Sequence, residues 1–372
     1  MPGPDTSIDV AIDATPLLGV RTGVGASVAG FITAVSTDPK VDIIAYGLST
    51  RAGRSLPAEL PDSVRAGRPV PIPATVLLRT WARFDHPAVE RWTGPVDVVH
   101  GTNFVVPPSR KAARLVTVHD LTPVRFPELC NPTSLRYPDL IRRAIDQGAS
   151  IHTVSQSMAD EVVEHFRVDR ARVHTILNGL TPLPPPLPRD DSEPPYILAI
   201  GTVEPRKGLP DLVAAFDRIA DSVSDVHLKI AGPDGWGDDA LDAGLRCARH
   251  AGRIHRIGWI EDRSTLIAGA RVLAYPSLYE GFGLPPLEAM SLGVPVVAST
   301  AGAIPEVVGD AAMLVAPHAV PALAEALLVA ATDATTRERL IAAGTVRAAA
   351  FSWQRAGRQL AALYRTLAQA RG

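Results

Sequence analysis

Two doubly wound parallel sheets of α/β type, facing each other across a cleft, are the architecture that this 372-residue chain predicts. Three observations predict it. Twelve short runs, mostly β-branched or aliphatic, alternate with stretches of helical period, as strands joined by right-handed crossover helices do. Most of these runs are apolar throughout, as expected of strands covered on both faces. A proline-dense stretch splits them six and six, in a chain more than twice the length of a typical domain of about 150 residues.

The first series comprises residues 8–12, 41–46, 96–100, 115–118, 151–154 and 173–176, and the second residues 196–200, 226–230, 253–257, 272–275, 294–298 and 312–315. Between them, Thr181-Pro-Leu-Pro-Pro-Pro-Leu-Pro-Arg-Asp-Asp-Ser-Glu-Pro-Pro195 places seven prolines in fifteen residues, which forbids a helix and favours an extended connector. A surface loop within one large sheet is the competing reading, but six strands on each flank suffice for two sheets. The domains are therefore drawn at 1–183 and 184–355. From Gln354 to Ala370 the period is helical, with Leu360, Leu363, Tyr364 and Leu367 on one face. The sequence leaves open which domain this helix covers, and residues from about 356 to 372 are free to pack back on the first. Ligands of open parallel sheets bind at the carboxyl ends of the strands, so the expected site is the cleft.

Composition narrows the functional class. Lys plus Arg (37) against Asp plus Glu (39) leaves a net charge of −2, which removes any electrostatic case for nucleic acid. A hydrophobic content of 46% with 20% charged residues excludes wholesale disorder. No apolar run approaches the roughly 18 residues of a spanning helix, and Met1-Pro-Gly-Pro-Asp-Thr-Ser lacks a secretory leader's basic and apolar regions. A soluble, cytoplasmic protein is expected. Cys130 and Cys247 fit neither a disulfide nor a metal-ligand spacing.

The most informative stretch is Tyr275-Pro-Ser-Leu-Tyr-Glu-Gly-Phe-Gly-Leu-Pro-Pro-Leu-Glu-Ala-Met-Ser-Leu-Gly-Val-Pro-Val-Val-Ala-Ser299. A strand ends at Tyr275, a loop with two glycines follows, and Pro285-Pro286 open a short helix, where a missing N–H costs nothing. Gly293 closes it as a left-handed cap. Gly281-Phe282-Gly283-Leu284 therefore presents backbone N–H groups at a helix N-terminus, a place that stabilises an anion. Two carboxylates bracket it: Glu280 in the loop and Glu288, expected in the first helical turn. For Glu288 a favourable interaction with the helix dipole explains as much as a ligand contact does; Glu280, ahead of two glycines, caps nothing obvious.

Glu280 and Glu288, with seven residues between, resemble the paired-glutamate signature of retaining glycosyltransferases of family 4, down to the flanking Gly293-Val-Pro-Val-Val-Ala298 and Gly302-Ala-Ile-Pro-Glu306. The resemblance implies the GT-B fold, two Rossmann-like domains of which the first serves the acceptor and the second the nucleotide sugar. It also implies that Glu280 lies near the donor sugar, that the N–H groups of Gly281, Phe282, Gly283 and Leu284 meet sugar and phosphate oxygens, and that Glu288 holds the ribose hydroxyls.

A second anion-binding element follows strand 196–200. In Gly201-Thr-Val-Glu-Pro-Arg-Lys-Gly208, Arg206 and Lys207 precede a helix with Leu212, Ala215 and Phe216 inward. Cations near a helix start are mildly disfavoured unless a bound diphosphate reverses the local field. The block resembles the family's Glu-Pro-Arg-Lys-Gly diphosphate clamp. Where many members carry arginine after the first glycine stands Thr202, so Arg206 or the loop at 281–284 is left to supply the second phosphate contact. The base is expected near Ile257-Gly258-Trp259-Ile260.

In the first domain, Gly19-Val-Arg-Thr-Gly-Val-Gly25 leads into a helix expected from about Ala26. As a dinucleotide loop it lacks the third glycine, and Gly47-Leu48 stands where an acid should end the next strand, which argues against a dehydrogenase. The resemblance instead gives Gly23 or Gly25 a backbone contact to donor phosphate. His119 ends strand 115–118; a lone histidine there is most often structural, but the resemblance implies a hydrogen bond to the donor sugar. Asp120 either orients that imidazole or caps the next turn. Residues 76–84, with Arg91-Trp92, mix arginine, tryptophan and aliphatics at helical spacing, which is more often a core stripe, the second reading being a peripheral contact with the inner face of the plasma membrane or a lipid-linked acceptor.

The expected chemistry is transfer of a hexose from a nucleotide sugar to an acceptor hydroxyl, with Glu280, His119 and Lys207 as the catalytic set. The chain has no Asp-x-Asp to hold a metal, so no metal or other cofactor is expected; Lys207, Arg206 and the helix N-terminus offset the leaving group's charge. Retention is implied by the resemblance alone. The context of residues 201–208 and 117–121 looks most like bacterial mannosyltransferases of surface polysaccharide or glycolipid synthesis, hence GDP-mannose, with UDP- and dTDP-sugars as the alternative donors. A pyridoxal-phosphate phosphorylase and a non-catalytic sugar-nucleotide binder compete from outside the class without positive support.

Overall fold

The computed structural model describes residues 7–19, 23–49, 55–188, 192–235 and 239–370. It separates into two compact units, residues 1–181 with 352–372, and residues 182–351.

In the first unit the strands are β1 (Ile8–Asp13), β2 (Val41–Tyr46), β3 (Arg65–Ala66), β4 (Val98–Gly101), β5 (Ala113–Val118), β6 (Ser150–Thr153) and β7 (Val173–Thr175). They form one parallel sheet in the order β3-β2-β1-β4-β5-β6-β7. The second unit contains β8 (Tyr196–Ile200), β9 (His227–Ala231), β10 (Ile254–Gly258), β11 (Val272–Tyr275), β12 (Val296–Ser299) and β13 (Met313–Val315), parallel in the order β10-β9-β8-β11-β12-β13. All twelve apolar runs are strands. The thirteenth, β3, is two exposed residues at a sheet edge and buries nothing that a hydrophobic pattern would register.

Both orders contain one reversal. The second unit's chain lays β9 and β10 to one side of β8, then returns to place β11 on the other. Leu198 of β8 pairs with Leu273 of β11, so the loops leaving these two strands emerge side by side at the carboxyl edge. That is the crevice where open α/β sheets bind ligands. Topology alone thus brings residues about 70 positions apart together.

The segment after Phe351 belongs with the first unit. Ser352 caps helix Trp353–Gln369, and Leu360, Ala361, Leu363 and Tyr364 enter the core formed by β1, β2 and helix Gly23–Val35. The two helices approach so closely that a Cβ on Gly357 would lie 2.7 Å from the Cβ of Ala34. Beneath them runs a buried polar chain of fixed direction. Tyr364 donates to His100 Nδ1 (2.6 Å), His100 Nε2 donates to Thr117 Oγ1 (2.7 Å), and Thr117 donates to His152 Nδ1 (2.9 Å). His152 Nε2 then donates to the carbonyl of Ile176 (3.0 Å), an acceptor only, and this sets every tautomer upstream.

Burial holds both histidines neutral, with His152 lowered to about 4. An unfolded histidine titrates near 6.5, so between about pH 6.5 and 4 the unfolded chain binds a proton that the folded chain refuses, and stability falls as pH falls through that window. Replacing His152 by Gln should cost stability at pH 7.5, and the gap in thermal midpoint between wild type and H152Q should narrow on going to pH 5. The comparison cancels groups common to both chains, such as Asp13, whose burial raises its carboxyl to about 6 and acts in the opposite sense. A pH-independent gap would mean that His152 is not held neutral.

Candidate active site

The loop after β8 makes a single tight turn at Pro205–Lys207, and Gly208 then starts helix Leu209–Ile219. The loop after β11 is tied to it by Leu278 N–H donating to the carbonyl of Arg206 (2.7 Å). Glu280 thereby falls onto both cations. Arg206 donates from one nitrogen to Glu280 Oε2 and to the carbonyl of Tyr279, both at 2.7 Å, and from the other to Glu204 Oε1 at 2.6 Å. Lys207 Nζ meets Glu280 Oε1 at 2.6 Å, and the Tyr275 hydroxyl donates to the same oxygen at 2.8 Å.

These groups are not solvated surface charges. The side chains of Arg206 and Lys207 are 16% and 14% exposed, and Glu280 is 7% exposed. Burial alone would push the Glu280 carboxyl up; Arg206 and Lys207 override it and hold the group well below the ordinary carboxylate range. Burial and the neighbouring carboxylate both push the Tyr275 hydroxyl far up, so it remains a donor. Two carboxylates against two cations make the cluster neutral as a whole. Arg206 is shared between acids on both sides and braces the cluster.

Behind Glu280, the loop after β12 holds its backbone. Ala303 N–H donates to the Glu280 carbonyl (2.9 Å), and Gly302, at φ +56°, passes so near that an added Cβ would sit 2.2 Å from that oxygen. Gly302 is glycine for both reasons.

Ahead of Glu280, Phe282 is buried edge-on against Phe351, and Gly283, at φ +117°, opens helix Leu284–Ser291, whose N-terminus no side chain caps. Gly293 follows its end in the left-handed conformation, at φ +70°. Because the helix begins at Leu284, Glu288 is its fifth residue and not in its first turn. The dipole explanation for Glu288 therefore fails. Its buried carboxylate instead accepts from Arg263 at 2.6 Å; burial raises its pKa and Arg263 restrains the rise. At the end of β10, Gly258 accepts at its carbonyl from Gly232 N–H (2.7 Å); beyond it Trp259 is 53% exposed and Ile260 is half-buried.

In the first unit, helix Gly23–Val35 begins three residues earlier than expected. Gly23 and Gly25 therefore belong to its first turn, where N–H groups have no intrahelical partner, and not to a preceding loop; residues 20–22 lie outside the described residues. His119, 7% exposed, donates from Nε2 to the carbonyl of Thr102 (2.7 Å), which leaves Nδ1 as an acceptor. Burial lowers its pKa. Asp120 caps the next turn by accepting from Thr122 N–H (2.9 Å). Of the residues read as core or membrane stripe, Leu77, Trp81 and Trp92 are core, whereas Val76 and Phe84 are exposed.

Two family descriptions match, "Glycosyltransferase Family 4" over residues 23–182 and "Glycosyl transferases group 1" over residues 194–333. The chain is 34% identical to the O-antigen chain mannosyltransferase B of Escherichia coli over 286 residues, covering 73% of this chain and 74% of that protein. The chain belongs to the family 4 glycosyltransferases. It is also 31% identical to the MMP alpha-(1->4)-mannosyltransferase of Mycolicibacterium hassiacum over 345 residues, 82% of each. In fold it is similar to a sucrose-phosphate synthase from Thermosynechococcus elongatus (TM-score 0.73, 21% identity, 98% of this chain and 100% of that one). The lipopolysaccharide glycosyltransferase WaaG is similar too (TM-score 0.72, 17% identity, 95% and 99%). Each unit of this glycosyltransferase is accordingly a Rossmann-like half of the GT-B type.

Four residues without a functional signal in the sequence complete the enzyme's site: Glu204 and Tyr275 in the Glu280 cluster, Gly302 behind it, and Arg263 against Glu288. Arg263 carried no signal, since nothing in its spacing points to Glu288, 25 positions on. Removing one member of a buried charged cluster leaves the others uncompensated and costs about 3–5 kcal/mol. E280A should thus lower the thermal midpoint markedly, and the double variant E280A/K207M should recover part of the loss. Losses that simply add would show that the pair is not coupled.

Proposed function

We propose that the enzyme moves a mannosyl residue from GDP-mannose to a hydroxyl of a glycan or glycolipid acceptor, with retention at the anomeric carbon and without a metal. The observation that carries this reading is the convergence of Lys207, Arg206 and Glu280 at the edge where the strand order reverses, beside the uncapped N-terminus of helix Leu284–Ser291. An ammonium has three donors, of which Glu280 and Tyr275 engage two. The third, with the helix N–H groups, is a place for diphosphate oxygens. The names of the two relatives favour mannose.

In the reaction, the bond from the anomeric carbon to the diphosphate oxygen breaks and its electron pair stays on the phosphate. A bond from the same carbon to the acceptor oxygen forms, and the acceptor's proton passes to the leaving phosphate on the same face. Lys207 and the helix N-terminus offset the developing negative charge, fixed in place before it appears. Glu280 is ill suited to be a covalent nucleophile, because Arg206, Lys207 and Tyr275 occupy both of its oxygens. Its role is to position Lys207 and to receive a sugar hydroxyl at the one lone pair that Oε2 keeps beside Arg206. The Glu288 carboxylate, oriented by Arg263, takes the ribose diol, and His119, with the N–H of Gly23 or Gly25, serves the donor from the first unit. Charge neutralisation by side chains is the alternative to a metal clamp, and among the described residues no three His, Cys, Asp or Glu side chains gather to hold one.

Incubation with a panel of GDP-, UDP- and dTDP-sugars should give donor hydrolysis with GDP-mannose first, unchanged by EDTA, and an α-mannoside by proton NMR of the product. E280Q should lose about a hundredfold or more in kcat, the scale for one preorganised group at a reacting centre. Preference for a UDP-sugar would overturn the donor, restoration of an EDTA-treated sample by magnesium the metal independence, and an inverted product the stereochemistry. R263Q leaves Glu288 to burial alone, so its pKa should rise further and a larger fraction be protonated near neutrality. KM for the donor should increase and fall again as pH is raised, with kcat little changed; a pH-independent KM would deny Arg263 this orienting role.

A further inference from the structure

The second unit holds a hollow that the reaction leaves unused. It is built from the chain that follows β8, β9, β11 and β13, so it lies at the carboxyl edge of that sheet, but Lys207, Glu280 and Glu288 do not line it. Val203, Leu209 and Leu241, all buried, and the half-buried Leu278 give it apolar walls. Its volume is about 170 Å³. A dry cavity of about 150 Å³ accommodates one benzene ring, whereas drug-sized ligands occupy roughly 300–1,000 Å³. The hollow therefore has the size of a single six-membered ring or a short aliphatic chain.

Its polar lining is acidic. Glu204 lines the hollow and is 8% exposed. Arg206 holds its Oε1 at 2.6 Å, and among the described residues none donates a hydrogen bond to Oε2. A carboxylate has room for about four hydrogen bonds, so a buried one with a whole oxygen unengaged lacks a donor. Asp211 lines the same space and is paired with His318 Nδ1 at 2.9 Å. It stands in the first turn of helix Leu209–Ile219, where it answers the positive end of the helix dipole. His318 reaches it from a left-handed backbone, φ +62°, which residues other than glycine seldom adopt. Among the described residues no lysine or arginine lines the hollow, so an anion placed there would meet two carboxylates and no cation of its own.

We propose that this hollow is a second ligand site, for a small organic cation: a primary ammonium carried on one apolar ring or a short aliphatic body. The ammonium donates to Glu204 Oε2 in a charge-assisted bond, and the apolar body displaces water from Val203, Leu209, Leu241 and Leu278. A neutral alcohol of the same shape keeps the packing and loses the charge; a carboxylate is repelled. Because Glu204 Oε1 braces Arg206, the ligand and the Glu280 cluster share one carboxylate, and occupancy of the hollow is felt at Arg206. The proposal stands on the second unit's own geometry and does not rest on the donor or on glycosyl transfer.

Benzylammonium chloride is the probe, with benzyl alcohol and benzoate as its neutral and anionic counterparts. In NMR titrations of the isotope-labelled full chain, benzylammonium should bind saturably, benzyl alcohol about tenfold more weakly, and benzoate not at all. The side-chain Nε–H signal of Arg206 should move along the benzylammonium curve. A240W brings an indole into the hollow from an exposed position of helix Asp239–Cys247, so it should abolish binding while keeping the wild-type thermal midpoint. E204Q keeps the shape and removes the charge, and it should bring benzylammonium and benzyl alcohol to within about twofold of each other. The proposal is overturned if benzylammonium does not saturate, if the alcohol or benzoate binds wild type as tightly, if A240W binds like wild type, if E204Q keeps the full preference for the ammonium, or if the Arg206 signal stays still.

Discussion

The glutamate at position 280 and the lysine at position 207 lie 2.6 Å apart, and the carboxylate is in a setting where its charge would not be tolerable alone. A carboxylate that is 7% exposed would ordinarily protonate. Arg206 and Lys207 keep it ionised, and Glu204, on the far side of Arg206, extends the arrangement into a group of two acids and two cations. Much of the second unit's geometry follows from this requirement. The turn at Pro205–Lys207 must be tight enough to present both cations to one acid, the loop after β11 must return to it, and the chain after β12 must be glycine where it crosses the Glu280 carbonyl.

Such a group is preorganised at some cost in stability, since buried ion pairs seldom gain more from their attraction than they lose in hydration. Its value is that charge in the crevice is fixed before any ligand arrives. In the donor complex proposed above, two phosphates bring negative charge to a cluster that is already balanced. The extra positive potential is then left to the third donor of the Lys207 ammonium and to the N–H groups at the start of helix Leu284–Ser291, which carry no formal charge to be neutralised beforehand.

The fold was legible because the interior strands are largely buried on both faces, which makes most of them apolar runs; β3, with nothing to bury, left no such run. The site was legible in part for a different reason. Glu280, Lys207 and Arg206 stand in loops where acids and bases have no ordinary structural use, so their presence alone was informative. What could not be read were relations across sequence distance. The Arg263–Glu288 pair depends on where helix Leu284–Ser291 begins and how it is rotated, and a one-residue change in the starting point moves Glu288 between a dipole contact and a guanidinium contact. Likewise the stripe at residues 76–84 mixed two faces in one pattern. Leucine and tryptophan at 77 and 81 turned inward, valine and phenylalanine at 76 and 84 outward, and the packing of Trp81 on Trp92 marks the inward face.

The same contrast explains why the two histidines of interest behave differently from charged residues. His119 and His152 are both neutral and buried, yet each is fixed by a backbone carbonyl at one nitrogen, so the other nitrogen is committed as an acceptor. In His152 that acceptor is filled by Thr117, and the residue belongs to the core. In His119, at the carboxyl edge of β5, Nδ1 is instead an acceptor that no core hydroxyl among the described residues fills. One device, a backbone carbonyl at Nε2, thus has two outcomes: deep in the sheet it closes a hydrogen-bonded chain, and at a strand end it leaves a neutral, directed acceptor.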